Sequence, residues 1–555
     1  LTSFAYYGPN KVDASIIDKL SNITLAVDTE VSQKGNGIIG LAVAFSPDEA
    51  LFFTPNSPMI GKVKEALSNN LVVFHNALFD LKWLGKVDIE VPHFSDTMLC
   101  ASNEGEAEFN LPYLSLSNLH EEVKPISSFF TKKGMKVDDL PIEQVAQACC
   151  SHAIATYNLW QYYQTKDMPL LNTLDIPFLY LVKKMGDNGV AIDQGEVQIQ
   201  SVKLQLRELA LKLKLGGMIG PLNYSSTKQL REALLAKGII THLRTEKGEN
   251  SVNEEALLGV RHQAPELIDT ILEYRGIRKT ITTYIPMFEG HQRVHSSFGI
   301  TRTGRLTSSE PNMQNITRGE LRKIVVAEPG NVLVVADYEQ LEARLIAALS
   351  QDQNMIDAYQ KERDLHQETK DYLKSKYGVE IDRYTAKNGI NFPLWYGAGV
   401  YQVKKTTGMG EEECLEFLEW FFNRFPRTKR WVNRVRKELQ EKGCVTTYFG
   451  RKRYIPEISS GSRKEREHGY KAGVNTIPQG TGADIVKQGM LFLQEQLTEE
   501  DRIVLQVHDE VLVETTKERG GIVKGLCEKY LPWFSIEGVD FPVKVKMGVN
   551  WYELV

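Results

Sequence analysis

Two acidic groups stand at the ends of buried-strand patterns. Residues 332–336 (VLVVA) run into Asp337. Residues 503–507 (IVLQV) run into His508-Asp509-Glu510, and 511–513 (VLV) lead out again, a hairpin with acids at its turn. A carboxylate at the end of an apolar strand is costly unless something neutralises it. Divalent metals do this, and two of them about 3.5–4 Å apart stabilise both the attacking and the leaving oxygen of phosphoryl transfer. Oxygen ligands combined with substrate phosphates suit Mg2+. Taken singly, either site fits a strand end capped by solvated acids equally well. A third pair, Asp28 and Glu30 in 24–30 (TLAVDTE), lies two residues apart and so on one face of a strand.

The elements that must position these acids alternate. Runs at 23–27, 39–45 and 71–74 read as strands and 142–163 as an amphipathic helix, which predicts an α/β unit over roughly the first 165 residues. The polar, Pro-containing stretch 166–175 reads as a boundary. Residues 196–214 and 253–284 read as helical and charged, and strand–helix alternation resumes from 331. There is no internal repeat.

Composition sets wide bounds. The chain has 555 residues, enough for several domains, with 42% hydrophobic and 25% charged residues. Six cysteines form neither a disulfide framework nor a CxxC zinc pair, which fits a reducing, intracellular setting. No apolar run is long enough to span a bilayer, no signal peptide is visible, and a first residue of Leu1 fits a processed product or a cut fragment. A net charge of −5 argues weakly against nucleic-acid binding, but the field that matters is local. Basic clusters occur at Arg275, Arg278 and Lys279; at Arg318, Arg322 and Lys323; at Arg424 through Arg436; and at Arg451, Lys452 and Arg453.

The order of motifs resembles the DNA polymerase I family (family A) over nearly the whole chain. Residues 301–316 (TRTGRLTSSEPNMQNI) are similar to its TGRLSS…PNLQNI segment, 337–344 (DYEQLEAR) to motif A, 383–397 (RYTAKNGINFPLWYG) to motif B, 475–485 (NTIPQGTGADI) to the QGTAADI helix and 507–511 (VHDEV) to motif C. Five motifs in one order are a specific signal. The resemblance implies an α/β multidomain chain. An RNase H-like 3′→5′ exonuclease domain over 1–168 would precede a right-hand polymerase domain over 169–555. Its thumb is expected at about 195–290 and its fingers at about 351–440, with palm as the remainder. Residues 271–285 look like the thumb segment that grips the DNA backbone.

The resemblance also implies roles. Asp337 and Asp509 match the metal-binding aspartates of the polymerase site, holding two Mg2+ ions with Mn2+ as an alternative, and Glu510 an auxiliary acid near the primer end. Arg383 and Lys387, four apart, share a helix face that a triphosphate needs, and Lys387 is a candidate proton donor to the leaving pyrophosphate. His366, in Asp364-Leu365-His366, matches a histidine that contacts the incoming phosphates. Glu342 matches the steric gate at the ribose 2′ position, Tyr396 the tyrosine beside the template base, and Phe392 the aromatic that stacks on the incoming nucleotide. Phe rather than Tyr there implies poor use of dideoxynucleotides. Arg305, Asn315, Asn475, Gln479 and His508 match positions at the primer end or minor groove. The implied partners are a DNA primer–template and dNTPs, with no membrane, for a monomeric soluble enzyme.

Departures from the family pattern are informative. Lys387 to Phe392 is five residues, where the family has four. A regular helix would turn Phe392 about 100° off the Lys387 face, so a π-bulge or local break is predicted at Asn388–Gly389. Glu339 replaces the motif A serine, and Lys471 stands where the family usually has arginine.

In the N-terminal part, Asp28 and Glu30 with 74–80 (FHNALFD), ending in Asp80, resemble the first two motifs of DEDD-type 3′→5′ exonucleases. Three carboxylates around two metals would activate a water for phosphodiester hydrolysis. In the third motif, Ala148 replaces the tyrosine and His152 stands at the position of the fourth, acidic ligand; Tyr163…Asp167 has the bare spacing but comes too late. The reading is a DNA polymerase with weak or absent proofreading. A histidine-tolerant exonuclease, a dead DNA-binding scaffold, a chain that is mainly nuclease, and an RNA polymerase relative are the rivals.

Overall fold

The computed structural model describes residues 20–35, 37–245, 247–316 and 319–554. Arg318 of the second basic cluster lies outside them. The N-terminal sheet has strands β1 (Thr24–Val31), β2 (Ile38–Ala44), β3 (Ala50–Phe53), β4 (Leu71–Phe74) and β5 (Phe94–Asp96), in the order β3-β2-β1-β4-β5. β1 pairs antiparallel with β2 and parallel with β4. Helix α1 (Ala77–Gly85) follows β4, and helix α2 (Ile142–Tyr163) covers β1 and β2. Its buried face includes Ala146, Cys149, Cys150 and Ala153, small side chains that let helix and sheet approach closely.

The second sheet has strands β6 (Asn331–Tyr338), β7 (Arg502–Val507), β8 (Glu510–Thr516) and β9 (Val543–Gly548), all antiparallel, in the order β7-β8-β6-β9. β6 reads as a continuous apolar run because both its faces are covered. Val334, Ala336 and Tyr338 face one core; Leu333 and Val335 face another that contains Trp551. Helix α5 (Leu341–Ser350) and the long helix α7 (Arg463–Gln494) pack on the first face, and helix α6 (Leu365–Tyr377) lies beyond them. Helices α3 (Gln194–Ile219) and α4 (Pro265–Lys279) pack side by side around a separate core. A Cβ on Gly480 of α7 would lie 2.6 Å from Thr447 Cγ2, so glycine is what lets α7 meet the 444–454 hairpin.

The stretch 166–175 is not a loose linker throughout. Residues 171–175 form a π turn, and Asp175 is fully buried. Arg451 Nη1 and Nη2 each donate to Asp175 at 3.0 Å, Lys487 Nζ at 2.8 Å and Asn103 Nδ2 at 2.7 Å. Arg451 Nη2 also donates to Asp484 at 2.7 Å. Burial pushes the Asp175 carboxyl up, but Arg451 and then Lys487 outweigh it and hold it well below the usual carboxylate range. Asp167, Asn172 and Thr173 are exposed, and Asp175 alone of the polar residues in this stretch enters the buried ion network.

Asp175→Ala leaves two buried cations facing a single carboxylate, Asp484. A loss of about 3–5 kcal/mol is expected, read as a lowered urea midpoint for the full chain. Because the folded carboxyl lies below its unfolded value, this stabilisation is present above about pH 4 and fades as pH falls below it. An unchanged midpoint would show that the network does not hold the fold.

Candidate active site

The two acidic strand ends meet. Asp337 on β6 is the cross-strand partner of Glu510 on β8, and Tyr338 N donates to Asp509 O at 3.2 Å. A two-residue turn, His508-Asp509, joins β7 to β8. His508 has φ of 56° and Gln340, before α5, has φ of 54°. Left-handed backbone at non-glycine residues costs roughly 1–3 kcal/mol and clusters at functional sites.

Beside this junction opens a cavity of about 380 Å3. Of the residues singled out by sequence, Arg305, Glu342, His366, Lys387, Phe392, Tyr396, His508 and Asp509 line it. Burial pushes the Asp509 carboxyl above its ordinary range, against its own backbone N–H and the charges of His508, Lys387 and Arg305. Two oxygen-donor aspartates on adjacent strand ends, both half-buried, are a donor set that fits a hard divalent cation.

The motif B segment contains the expected defect. Residues 386–391 form a π-helix, and Phe392 N–H donates to Lys387 O, a bond spanning five residues. The extra residue is absorbed in the turn. As a result Lys387 Nζ lies 5.6 Å from the Phe392 ring centroid, and Phe392 stacks with Tyr396 at 6.0 Å and 15°. Tyr396 O–H donates to a carboxylate oxygen of Glu342, and burial and that charge push the hydroxyl well above its ordinary value.

His366 is buried and in contact with Phe392 at 5.7 Å between ring centroids. Burial, followed by the nearby Lys387 charge, lowers it to about 4, so the imidazole is neutral near pH 7. Asn391 fixes its tautomer. The Asn391 amide nitrogen lies 3.2 Å from Leu365 O and 2.9 Å from His366 Nδ1. Leu365 O only accepts, so the amide NH2 faces both; Nδ1 accepts and the proton sits on Nε2. Nε2 is buried with no hydrogen-bond partner among the described residues, a donor held ready on a cavity-lining ring. Sequence reasoning missed Asn391; only its single-residue separation from Phe392 hinted at it.

Other named residues lie elsewhere. Glu510 does not line the cavity. Arg322 Nη1 donates to its two oxygens at 3.2 and 3.1 Å, Trp551 Nε1 also donates to it, and the Arg322 guanidinium stacks on the Trp551 ring at 3.7 Å. The carboxylate expected near the primer end is thus already taken by partners the sequence did not reveal. Arg383 also does not line the cavity; its Nε donates to Asp364 Oδ2 at 2.5 Å, and Asp364 caps α6, which carries His366. Asn475 and Gln479 are one turn apart on α7, half-buried, and Asn315 is exposed on a short 3₁₀ turn; none of the three lines the cavity.

In the N-terminal unit, Asp28, Glu30 and His152 come together, with one ligand atom of each within 4.8 Å of the others. His152 Nδ1 is 3.6 Å from Asp28 Oδ2 and 3.8 Å from Glu30 Oε1. Burial lowers His152, but bonding and charge from Asp28 raise it to about 9. Burial, then Asp28, pushes Glu30 up to about 8. Asp80 is buried and turned to Thr29, whose N–H and Oγ1 donate to it at 3.0 and 2.7 Å.

An antiparallel palm-like sheet, a helical partner unit and a cavity lined by Asp509 at the junction of the two acidic strand ends define a right-hand polymerase fold behind an exonuclease-type sheet. The POL domain of Pol1 from M. smegmatis, solved in complex with DNA primer–template and dNTP, has the same fold: TM-score 0.81 at 24% identity, covering 99% of this chain and 100% of that one. The family model for DNA polymerase family A matches residues 194–553, and the model for 3'-5' exonuclease matches residues 11–164. The chain belongs to DNA polymerase family A. It is 31% identical over 452 residues to DNA polymerase I of Pseudomonas aeruginosa, covering 76% of this chain and 49% of that one. It is 32% identical over 399 residues to the thermostable DNA polymerase I of Thermus thermophilus, covering 69% and 48%. The chain spans about half the length of these relatives.

Nitrogen NMR of the His366 ring is expected to show a neutral Nε2–H tautomer unchanged from pH 8 to about pH 5.5, since the ring titrates near 4. Asn391→Leu should release the tautomer and give a mixed signal. A pure Nε2–H signal in that variant would remove Asn391 from this role.

Proposed function

We propose that the chain extends a DNA primer along a template with dNTPs by phosphoryl transfer, and that its exonuclease-type domain proofreads weakly or not at all. The observation that carries the first half is one cavity lined by Asp509, Lys387, His366, Phe392, Tyr396 and Glu342, in a chain of family A. The division at about 168, with thumb, fingers and palm as assigned above, is part of the proposal, as are the monomeric state and the DNA and dNTP partners.

Asp337 and Asp509 would hold the divalent ions, Mg2+ or Mn2+. When bound, these supply acidification of the primer 3′-hydroxyl and neutralisation of phosphate charge. The chain's own groups do the rest. Lys387 presents its ammonium to the triphosphate and is placed to protonate the departing pyrophosphate. His366 donates Nε2–H to a phosphate oxygen without adding charge. Arg383 and Asp364 form an exposed ion pair, which is weak, so Arg383 can exchange this carboxylate for a phosphate. The stacked Phe392 and Tyr396 rings offer an apolar wall to a base. Glu342, tied to Tyr396, stands as the group that crowds a ribose 2′-hydroxyl. Arg305 and His508 line the same cavity and are assigned to the primer end; Asn315, Asn475 and Gln479 are assigned to the duplex outside it. Glu510 acts as a positioning residue, fixing the Asp509 turn through Arg322 and Trp551.

The second half rests on His152. It can supply a nitrogen to a metal held by Asp28 and Glu30, but no negative charge for a second Mg2+. Asp80, the third acid, is engaged by Thr29.

With a labelled primer–template, Mg2+ and dNTPs, the intact chain should extend the primer. Asp509→Ala should lose at least about 10^3-fold in rate, several kcal/mol of charge stabilisation. No extension by the intact chain would defeat the polymerase reading. Without dNTPs, a mispaired 3′ end should stay unshortened, and His152→Asp should introduce shortening. Trimming by the intact chain would show that histidine suffices as the fourth ligand.

A further inference from the structure

Helix α3 has two seams. The inner one buries Leu211 and Leu215 against α4 and Val197 in the core that contains Trp551, yet it also admits Gln200 and Glu208. The outer one is entirely aliphatic: Ile199, Val202, Leu206, Leu209 and Leu213 are 50%, 55%, 63%, 55% and 72% exposed. Their spacing is three, four, three, four residues, the a/d pattern of a coiled-coil seam. The exposed seam of this helix is therefore more apolar than its buried one. It runs for about 21 Å and presents roughly 500 Å2 of contiguous aliphatic surface, near the upper end for a monomer.

We propose that this outer seam docks an acidic amphipathic helix of a partner protein as a short coiled coil. The flanks select the occupant. Lys203 and Lys212 occupy the e and g positions, with Arg207 and Lys214 beside them. All four side chains are substantially exposed; Glu320, Glu273 and Glu266 make surface ion pairs with Lys203, Arg207 and Lys214 worth at most about 1 kcal/mol, while Lys212 pairs with the buried Glu208, which keeps Arg278 when Lys212 turns away. Each cation can turn to an acid on an incoming helix. A second copy of this chain is a poor occupant. Antiparallel pairing sets lysine against lysine, and parallel pairing offers these lysines no acid. Two such faces would bury about 1,000 Å2, below the roughly 1,200–2,000 Å2 of a stable interface. An acidic helix adds charge attraction to the same apolar contact. This inference does not depend on the polymerase assignment.

The test uses the full chain and a fluorescent synthetic peptide of about three heptads, with Leu at a and d and Glu at every e and g, whose own charges oppose self-pairing. Saturable binding in the micromolar range is expected by anisotropy. A peptide with Lys at e and g should bind at least ten-fold more weakly. The double variant Leu206→Ser, Leu213→Ser should lose at least ten-fold for the Glu peptide while keeping its circular dichroism and melting temperature. Lys203→Glu with Lys212→Glu should reverse the preference between the two peptides. No saturable binding, or equal binding of both peptides, would overturn the proposal. So would micromolar self-association in sedimentation that the Leu variant abolishes, which would assign the seam to a second copy. Capture on phosphatidylserine vesicles that the same variant abolishes would assign it to a membrane and equally overturn it.

Discussion

Four charges buried at one point tie the parts of this chain together. Asp175, Arg451, Asp484 and Lys487 come from the turn after the exonuclease-type unit, from the 444–454 hairpin and from α7. Asn103, from the exonuclease-type unit itself, adds a neutral hydrogen bond to Asp175. Two positive and two negative groups cancel, and their geometry satisfies most of the hydrogen-bonding capacity that burial would otherwise waste. The network also reaches the site. Lys487 lines the cavity, and Arg451 packs under Gly304, next to the cavity residue Arg305. The orientation of α7 against the acidic strand ends therefore depends on charges that no solvent can replace.

The Lys387–Phe392 side of the cavity shows the same logic on a smaller scale. A residue inserted in motif B would misalign Lys387 and Phe392 by about a third of a turn. The π-helix at 386–391 takes up the insertion and returns both to the cavity. The same turn places Asn391 against Leu365 and His366. The defect is then not merely tolerated: it sets the hydrogen bond that decides which nitrogen of His366 carries the proton.

The exonuclease-type unit sets a histidine beside two convergent acids of its sheet. Asp28 and Glu30 still converge, because alternate residues of β1 share a face. His152 arrives where an acid is expected because the buried small residues of α2 dock that helix on the sheet independently of what stands at 152. Fold and chemistry come apart here: packing preserves the position, and the residue placed there alters what the position can hold.

By itself the sequence determined the strand-end acids, the order of motifs, the helix at 142–163, the π defect and the departure at His152. All of these are local: they follow from residue types, periodicity and spacing within a few turns of chain. Tertiary structure decided what depends on partners far away in sequence. Glu510 is claimed by Arg322 and Trp551, Arg383 by Asp364, and Asp80 by Thr29. Asp175, at the end of the polar stretch 166–175, entered a buried ion network through Arg451 and Lys487. The exposed aliphatic seam of α3 was equally invisible, because an apolar heptad reads the same whether it faces a core or water. A side chain's type is written in the sequence, but whether its charge is free, shared or buried depends on which distant groups the fold sets beside it.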